Sequence, residues 1–449
     1  MLLRLVALSL ALSGFAFAAE RPNILFIVVD DLNTALGCYG NTTVKSPHID
    51  RLAARGVRFD RAYAQYPLCN PSRASFLSGR RPETTGIYVL NTPIRSALPD
   101  VVTLPQYFRE QGYFSAGAGK IFHNTRTSDA KAWDSYEDGP GNDSQEKAAI
   151  ASRYGGGDGR PAWQILDGDG SQMRDGLNAS TIAKFMAEKS AEKKPFFLAA
   201  GFHKPHLPWT APKRYFDLYD EMKIVPAPEP ALRDIPPIAL QTELSGFAQP
   251  DSRAAAIRGY YACISYTDSR IGLILDELDR RNLWDSTVVV LLGDHGFHLG
   301  DHGGLWAKLS AFDQATRTPL IIAGAGVPAG RAVAVPVELL DIYPTLIELC
   351  GFPAAPALEG RSLVSLLRGA PESAPRLART LVYHYDPAAR RDVAGRTVIA
   401  EHWRYTEWDG GVAGRELYSQ RDDPTEYHNR LADPALASTL RAAQAALKN

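Results

Sequence analysis

Four apolar runs along the chain each stop at a group of polar, chemically active residues. NILFIVVDDL ends in Asp30 and Asp31, YFSAGAGKIFH in Lys120 and His123, PFFLAAGFHKPH in His203, Lys204 and His206, and VVVLLGDHG in Asp294 and His295. Apolar runs without polar alternation predict strands buried on both faces, hence a largely parallel sheet covered by helices. Between them lie stretches with helical apolar spacing: SPHIDRLAARG, TLPQYFREQG, TIAKFMAEKSAEK and SRAAAIRGYYACISYTDSRIGLILDELDRR. The alternation predicts an α/β fold, a large mixed, mostly parallel sheet flanked by helices. Ligands of such sheets bind beyond the carboxyl ends of the strands, and all four polar groups fall there.

After about residue 370 the pattern changes. RTLVYHYD, GRTVIAEHWRYTEW and RELYSQ read as short strands before a terminal helix, a small α+β C-terminal subdomain over 371–449 following a large domain over 20–370. Gly- and Asp-rich sequence over 126–178 reads as a long surface insertion, and the Pro-rich 225–250 as a second excursion. DGDGSQ at 167–172 resembles the start of a calcium loop, but Gln172 stands where Gly is required and Asn178 where the closing Glu belongs. The first 18 residues read as a secretory signal peptide: one Arg, an apolar run too short to span a bilayer, then Ala16 and Ala18. The expectation is an exported protein, periplasmic or secreted, with no membrane span.

Lys and Arg number 49 against 50 Asp and Glu, a net charge of -1. That balance argues against a general nucleic-acid or membrane-surface binder. Four cysteines are too few for a disulfide scaffold. Cys263 and Cys350 sit in apolar helical patterns, whereas Cys69 opens CNPSRASFLSGR. Asn70 and Pro71 predict a helix start there, and Gly79 its end. Cys69 would then precede a helix N-terminus that favours anions, with Arg73 one turn in. One reading is a thiolate nucleophile of lowered pKa. It is weakened because the sixth position after Cys69, where a cysteine phosphatase carries Arg, is Ser75. A buried inert thiol is the other.

Asp30, Asp31 and Asp294 at converging strand ends would repel, by about 4 kcal/mol per pair at 4 Å and an effective dielectric of 20. A hard divalent cation relieves that repulsion, calcium or magnesium. His295, His298 and His302 have helical spacing that could suggest zinc, but five glycines between 293 and 304 make a helix improbable. Seven of the ten histidines, including His384, lie at or near predicted strand ends together with Lys120, Lys204 and Lys308. A basic group around a metal suits an anionic ester with a poor leaving group.

CNPSR followed by ASFLSGR resembles the signature of type I, formylglycine-dependent sulfatases of the alkaline-phosphatase superfamily. The likeness extends through RPNILFIVVDDL, SPHIDRLAARGVRFDRAY, GAGKIFH, GDHGFHLGDHG and ELYSQRDDPTEYHNRLAD. GKIFH, FFLAAGFHKPHLP and WAKLSAFDQATRTPLI are most similar to iduronate-2-sulfatase-like members. The resemblance implies that a formylglycine-generating maturation enzyme oxidises Cys69, and that the hydrated aldehyde is the nucleophile. It implies a calcium ion held by Asp30, Asp31, residue 69, Asp294 and His295. Arg73 and Lys120 would stabilise developing charge, His206 with Lys308 would protonate the leaving oxygen, and His123 would take a proton in the second step. Substrate contacts would come from His203, Lys204, Arg396, His402 and Trp403. Phe297 replaces the Trp that iduronate-type members carry beside the metal pair.

The implied activity is exo-acting O-desulfation of a sulfated carbohydrate. Two alternatives stand beside it: a phosphatase or phosphonate monoester hydrolase of the same superfamily, and an inactive glycan-binding relative.

Overall fold

The computed structural model describes residues 21–124, 128–138, 163–220, 224, 229–241, 250–353, 355, 357–372 and 374–448. The expected signal segment, much of the 126–178 stretch and much of the 225–250 stretch lie outside them.

Nine strands form the central sheet: β1 Asn23–Val29, β2 Gly56–Tyr63, β3 Phe114–Gly119, β4 Ser135–Glu137, β5 Phe196–Phe202, β6 Thr287–Gly293, β7 Arg317–Gly324, β8 Arg331–Val333 and β9 Val337–Glu338. Their order is β8-β2-β7-β6-β1-β5-β3-β4, with β9 also pairing β2. Only β7 runs against its neighbours, β2 and β6; every other pair is parallel.

The apolar runs read as buried on both faces because alternate residues enter separate cores. Leu25, Ile27 and Val29 face one, packed under α1 (Pro47–Ala54), α4 (Arg174–Ala191) and α5 (Pro250–Arg280). Ile24, Phe26 and Val28 face the other, under α2 (Cys69–Ser78), α3 (Leu104–Glu110) and α6 (Ile342–Leu349). A period of two with both sets apolar is what a two-sided strand requires.

The C-terminal part is an antiparallel meander of β10 Ala378–Asp386, β11 Arg391–Ile399, β12 Trp403–Trp408 and β13 Gly414–Ser419. The terminal helix α7 (Ala437–Lys448) buries Ala443 against Val398, Tyr405 and Leu417. The sheet is bolted to the larger part of the chain by Arg404, which is fully buried. It donates to Glu426 at 2.8 Å and to the Ala311 carbonyl at 2.7 Å.

One sequence expectation changes. The stretch ending at 178 is not all surface insertion, because Trp163–Leu166 pairs with Trp209–Pro212 and α4 begins at Arg174 with Asp175 and Asn178 buried. Low hydrophobicity concealed these elements.

Candidate active site

Parallel register puts the ends of β1, β3, β5 and β6 on one sheet edge. The ladders continue past the strands: Asp30 N–H donates to the Phe202 carbonyl at 3.1 Å and Asp294 N–H to that of Val29 at 3.2 Å. Asp30 and Asp294 therefore lie side by side, and Asp294 Oδ1 accepts the Asp31 N–H at 3.0 Å. Gly201 permits the next approach, since a Cβ there would fall 2.4 Å from the Lys120 backbone.

The helix that follows Leu68 starts at Cys69 itself, two residues earlier than Pro71 would suggest. Leu68 is extended and caps the helix with its backbone, and Pro71 falls where an N–H would lack an intrahelical partner anyway. Asn70 does not cap; its amide donates to the Val89 and Thr92 carbonyls, both at 2.9 Å. Gly79, at φ +65°, ends the helix as expected.

Arg73 binds the cluster together. It is fully buried and donates to Asp294 Oδ2 and Asp30 Oδ1, each at 3.0 Å, to the Ile121 carbonyl at 2.9 Å and to the Lys120 carbonyl. Lys120 Nζ donates to Asp30 Oδ2. Lys308 Nζ donates to Asp31 Oδ1 at 2.5 Å and to Cys69 Sγ at 3.1 Å. Burial works to raise the Asp30 pKa, but Lys120, His206, Arg73 and Lys308 outweigh it and hold the carboxyl well below the usual range. Burial likewise works against charge on Lys308, yet Asp31, Cys69, Asp30 and Asp294 keep its pKa well above normal. Asp294 goes the other way, raised by burial despite Arg73.

Burial, reinforced by Asp30, pushes the Cys69 thiol above its ordinary pKa against Lys120 and Lys308. Both influences favour the neutral thiol over the thiolate. The expectation of a lowered pKa at the helix N-terminus fails because desolvation and the neighbouring acid exceed the helix field.

His295 Nδ1 donates to the Gly296 carbonyl at 2.9 Å, so in the neutral ring Nε2 carries no proton. That nitrogen lies 3.4 Å from Cys69 Sγ, 3.5 Å from Asp31 Oδ1 and 3.6 Å from Asp294 Oδ2. His206 is arranged the same way. Nδ1 donates to the Leu207 carbonyl at 2.6 Å, and Nε2 faces Asp31 Oδ2 at 3.8 Å and Asp30 Oδ2 at 4.0 Å. Ligating atoms of Asp30, Asp31, Cys69 and His206 fall within 4.8 Å of one another, as do those of Cys69, Asp294 and His295. Three carboxylates and a bare imidazole nitrogen fit a hard divalent cation.

Burial pushes His206 well below the usual imidazole range, with Asp30 opposing and Lys120 and Lys308 assisting. His123, pushed down to about 3 by burial and Lys120, has a buried Nδ1 with no hydrogen-bond partner among the described residues.

Other predicted residues are placed differently. Lys204 is buried, and its amine donates to the Pro208 carbonyl at 2.6 Å and that of His206 at 3.4 Å, so it braces the turn. Arg396 is exposed and lies across from Leu381, on the face that packs against Leu68 and Tyr88. His402 and Trp403 line a separate cavity of about 410 Å³ with Val335, Glu372 and Arg376; no residue of the Cys69 cluster lines it. His298 and His302 do not converge with His295, since both bond Asp301 in a group of their own.

Sequence reasoning missed Asp175. Its buried carboxylate accepts the His203 N–H at 2.8 Å, the Lys204 N–H at 2.9 Å and His203 Nδ1 at 3.2 Å, fixing the turn that carries His206. Its only sequence signal was an acid in the first turn of a helix.

Comparison with known proteins matches residues 22–352 to the family model described as Sulfatase, and residues 300–449 to N-sulphoglucosamine sulphohydrolase, C-terminal. The chain is 32% identical to iduronate 2-sulfatase of Mus musculus, across 95% of each sequence. It is equally identical to a sulfatase of Formosa agariphila, over 95% of this chain and 86% of that one. Among solved structures, one in complex with its substrate D-glucosamine-2-N,6-O-disulfate superposes with a TM-score of 0.77 at 22% identity, covering 96% of this chain and 97% of that one. The phosphonate monoester hydrolase of Agrobacterium radiobacter superposes with the same score and identity over 95% of both chains. At that identity the two structures establish a shared fold.

Proposed function

The chain belongs to the sulfatase family, and from that premise we propose that it removes sulfate from a carbohydrate ester, as an exported, iduronate-2-sulfatase-like exo-acting enzyme. The supporting observation is the surroundings of Cys69: a buried side chain 3.1 Å from a lysine amine and 3.4 Å from a bare imidazole nitrogen, beside three carboxylates. A neutral thiol makes a poor nucleophile there, which favours conversion of Cys69 to formylglycine by a maturation enzyme.

Residue 69, as a formylglycine hydrate, would supply a hydroxyl nucleophile. Asp30, Asp31, residue 69, Asp294 and His295 would hold calcium or magnesium, which would supply positive charge toward sulfate oxygens. The chain's own groups do the rest. Lys308, kept charged, favours an oxyanion at residue 69, and Lys120 adds a second cation at Asp30. Arg73 locks Asp30 and Asp294 in register and spends its donors on the protein, so its part is to hold the acids. His206 is neutral at rest; an anionic ester beside it favours the protonated ring, which then donates to the leaving oxygen. His123, also neutral, is a ready proton acceptor for the second half of the reaction.

Mass spectrometry of the peptide spanning residue 69, together with sulfate release from a panel of sulfated disaccharides, tests this. An unaltered thiol in fully active enzyme, or turnover confined to phosphate or phosphonate monoesters, would refute it.

A further inference from the structure

His384 lies in the C-terminal sheet, away from the reacting groups, yet its ring has an unusual environment. It is buried; Nδ1 is 2.6 Å from the Ile238 carbonyl and Nε2 is 2.5 Å from the Leu309 carbonyl. Carbonyl oxygens only accept, so both contacts are hydrogen bonds only if both nitrogens carry protons. The ring also stacks on Trp408, 4.7 Å between centroids at 29°, as suits a cation on an aromatic face.

Leu309 follows Lys308. Both Ala307 and Leu309 have left-handed backbones, at φ +70° and +59°, so the lysine sits between two positions that L-residues with side chains adopt reluctantly. Leu309 N–H donates to the Pro67 carbonyl at 3.1 Å, and its carbonyl is the one His384 holds. One end of this peptide is thus tied to the segment leading into Cys69, the other to the C-terminal sheet.

We infer that His384 is a positioning residue: a doubly protonated imidazole that clamps the Leu309 carbonyl to the Ile238 carbonyl and thereby fixes Lys308 against residue 69. Its importance for turnover rests on the sulfatase reading; its charge and the placement of Lys308 do not. Among the described residues, few groups face it. Residues 237–240 and Leu309 present only carbonyls, β11 presents Val393 opposite, and beyond Trp408 lie Glu416, bonded to the indole at 2.7 Å, with Arg404 and Tyr418. Lys308 is turned away toward Asp31 and Cys69. Loss of one proton from His384 would set a lone pair against a carbonyl and release one tie.

The test uses the full chain and the His384→Gln variant, which keeps one donor and much of the volume. Nitrogen NMR of histidine-labelled protein at neutral pH should show one buried ring protonated on both nitrogens, absent from the variant. Lys308 should react faster with an amine-modifying reagent in the variant, read by peptide mass spectrometry. On an aryl sulfate, kcat should fall about tenfold with little change in KM, and any fall of kcat that accompanies loss of the His384 proton in the wild type should be absent from the variant. A neutral ring, unchanged Lys308 labelling, or a loss seen only in KM overturns the inference. If the variant does not fold, the ring charge and its pH titration in the unsubstituted protein decide. Should charge and labelling behave as stated while the unsubstituted protein cleaves no sulfate ester, the sulfatase reading fails and the clamp stands.

Discussion

Replacing Asp175 by Asn isolates one anchor without touching the reacting groups. The carboxylate accepts two bonds from His203 on Oδ1 and one from Lys204 on Oδ2, all in a buried site. An Asn amide can keep its oxygen toward His203, but its NH₂ then meets the Lys204 N–H. One charge-assisted bond is lost, at about 1.5–3 kcal/mol, and two others weaken to neutral ones. The expected loss of stability is about 2–4 kcal/mol, with a fall in kcat because the turn carries His206. Burial works to raise the Asp175 pKa, but the His203 and Lys204 bonds leave it lowered in the fold. A depressed carboxylate stabilises fully above its unfolded pKa, about 4, and that contribution fades as pH falls through the lower folded value. The gap between wild type and Asp175→Asn should therefore be flat at neutral pH and close in acid. Urea denaturation at several pH values measures it. A loss below about 0.5 kcal/mol, or a gap that widens in acid, would refute the assignment.

Cys69→Ala should abolish turnover while leaving the melting temperature within a few degrees, since a small apolar group replaces a neutral thiol; residual activity at wild-type level would rule the residue out. Chelation should remove activity and added calcium or magnesium restore it, with far-UV circular dichroism unchanged, because Arg73, Lys120 and Lys308 still pair the acids. His123 protonates near 6.5 in the unfolded chain but only near 3 in the fold, so its contribution is present above the first value and lost as pH falls toward the second. His123→Phe should show a shallower decline of stability on acidification across that interval, and an equal decline in both proteins would contradict it.

Much of this was legible in the chain because strand ends and chemistry coincide. NILFIVV and VVVLLG had no polar alternation, so two-sided burial followed, and parallel pairing then forced Asp30 and Asp294 together. What escaped notice depended on long-range company. Asp175 lies 28 residues before His203 in a polar stretch that read as insertion. The start of α2 at Cys69 is set by Leu68 and by the pull of Val89 and Thr92 on Asn70, which no local cap rule contains. The resemblance of GRTVIAEHWRYTEW to a pocket-lining segment put Arg396, His402 and Trp403 together as substrate contacts; in the fold the turn between β11 and β12 places His402 and Trp403 in a cavity that Arg396 does not line.

Every residue of α2 is shielded from solvent, and Cys69 at its start is 1% exposed. No catalyst of protein size could reach that sulfur once β1, β6 and α2 have closed around it. The alteration proposed for Cys69 would then have a deadline set by the folding clock of the nascent chain: a polypeptide that collapsed early would keep its thiol, and the yield of altered protein would be a race between two rates.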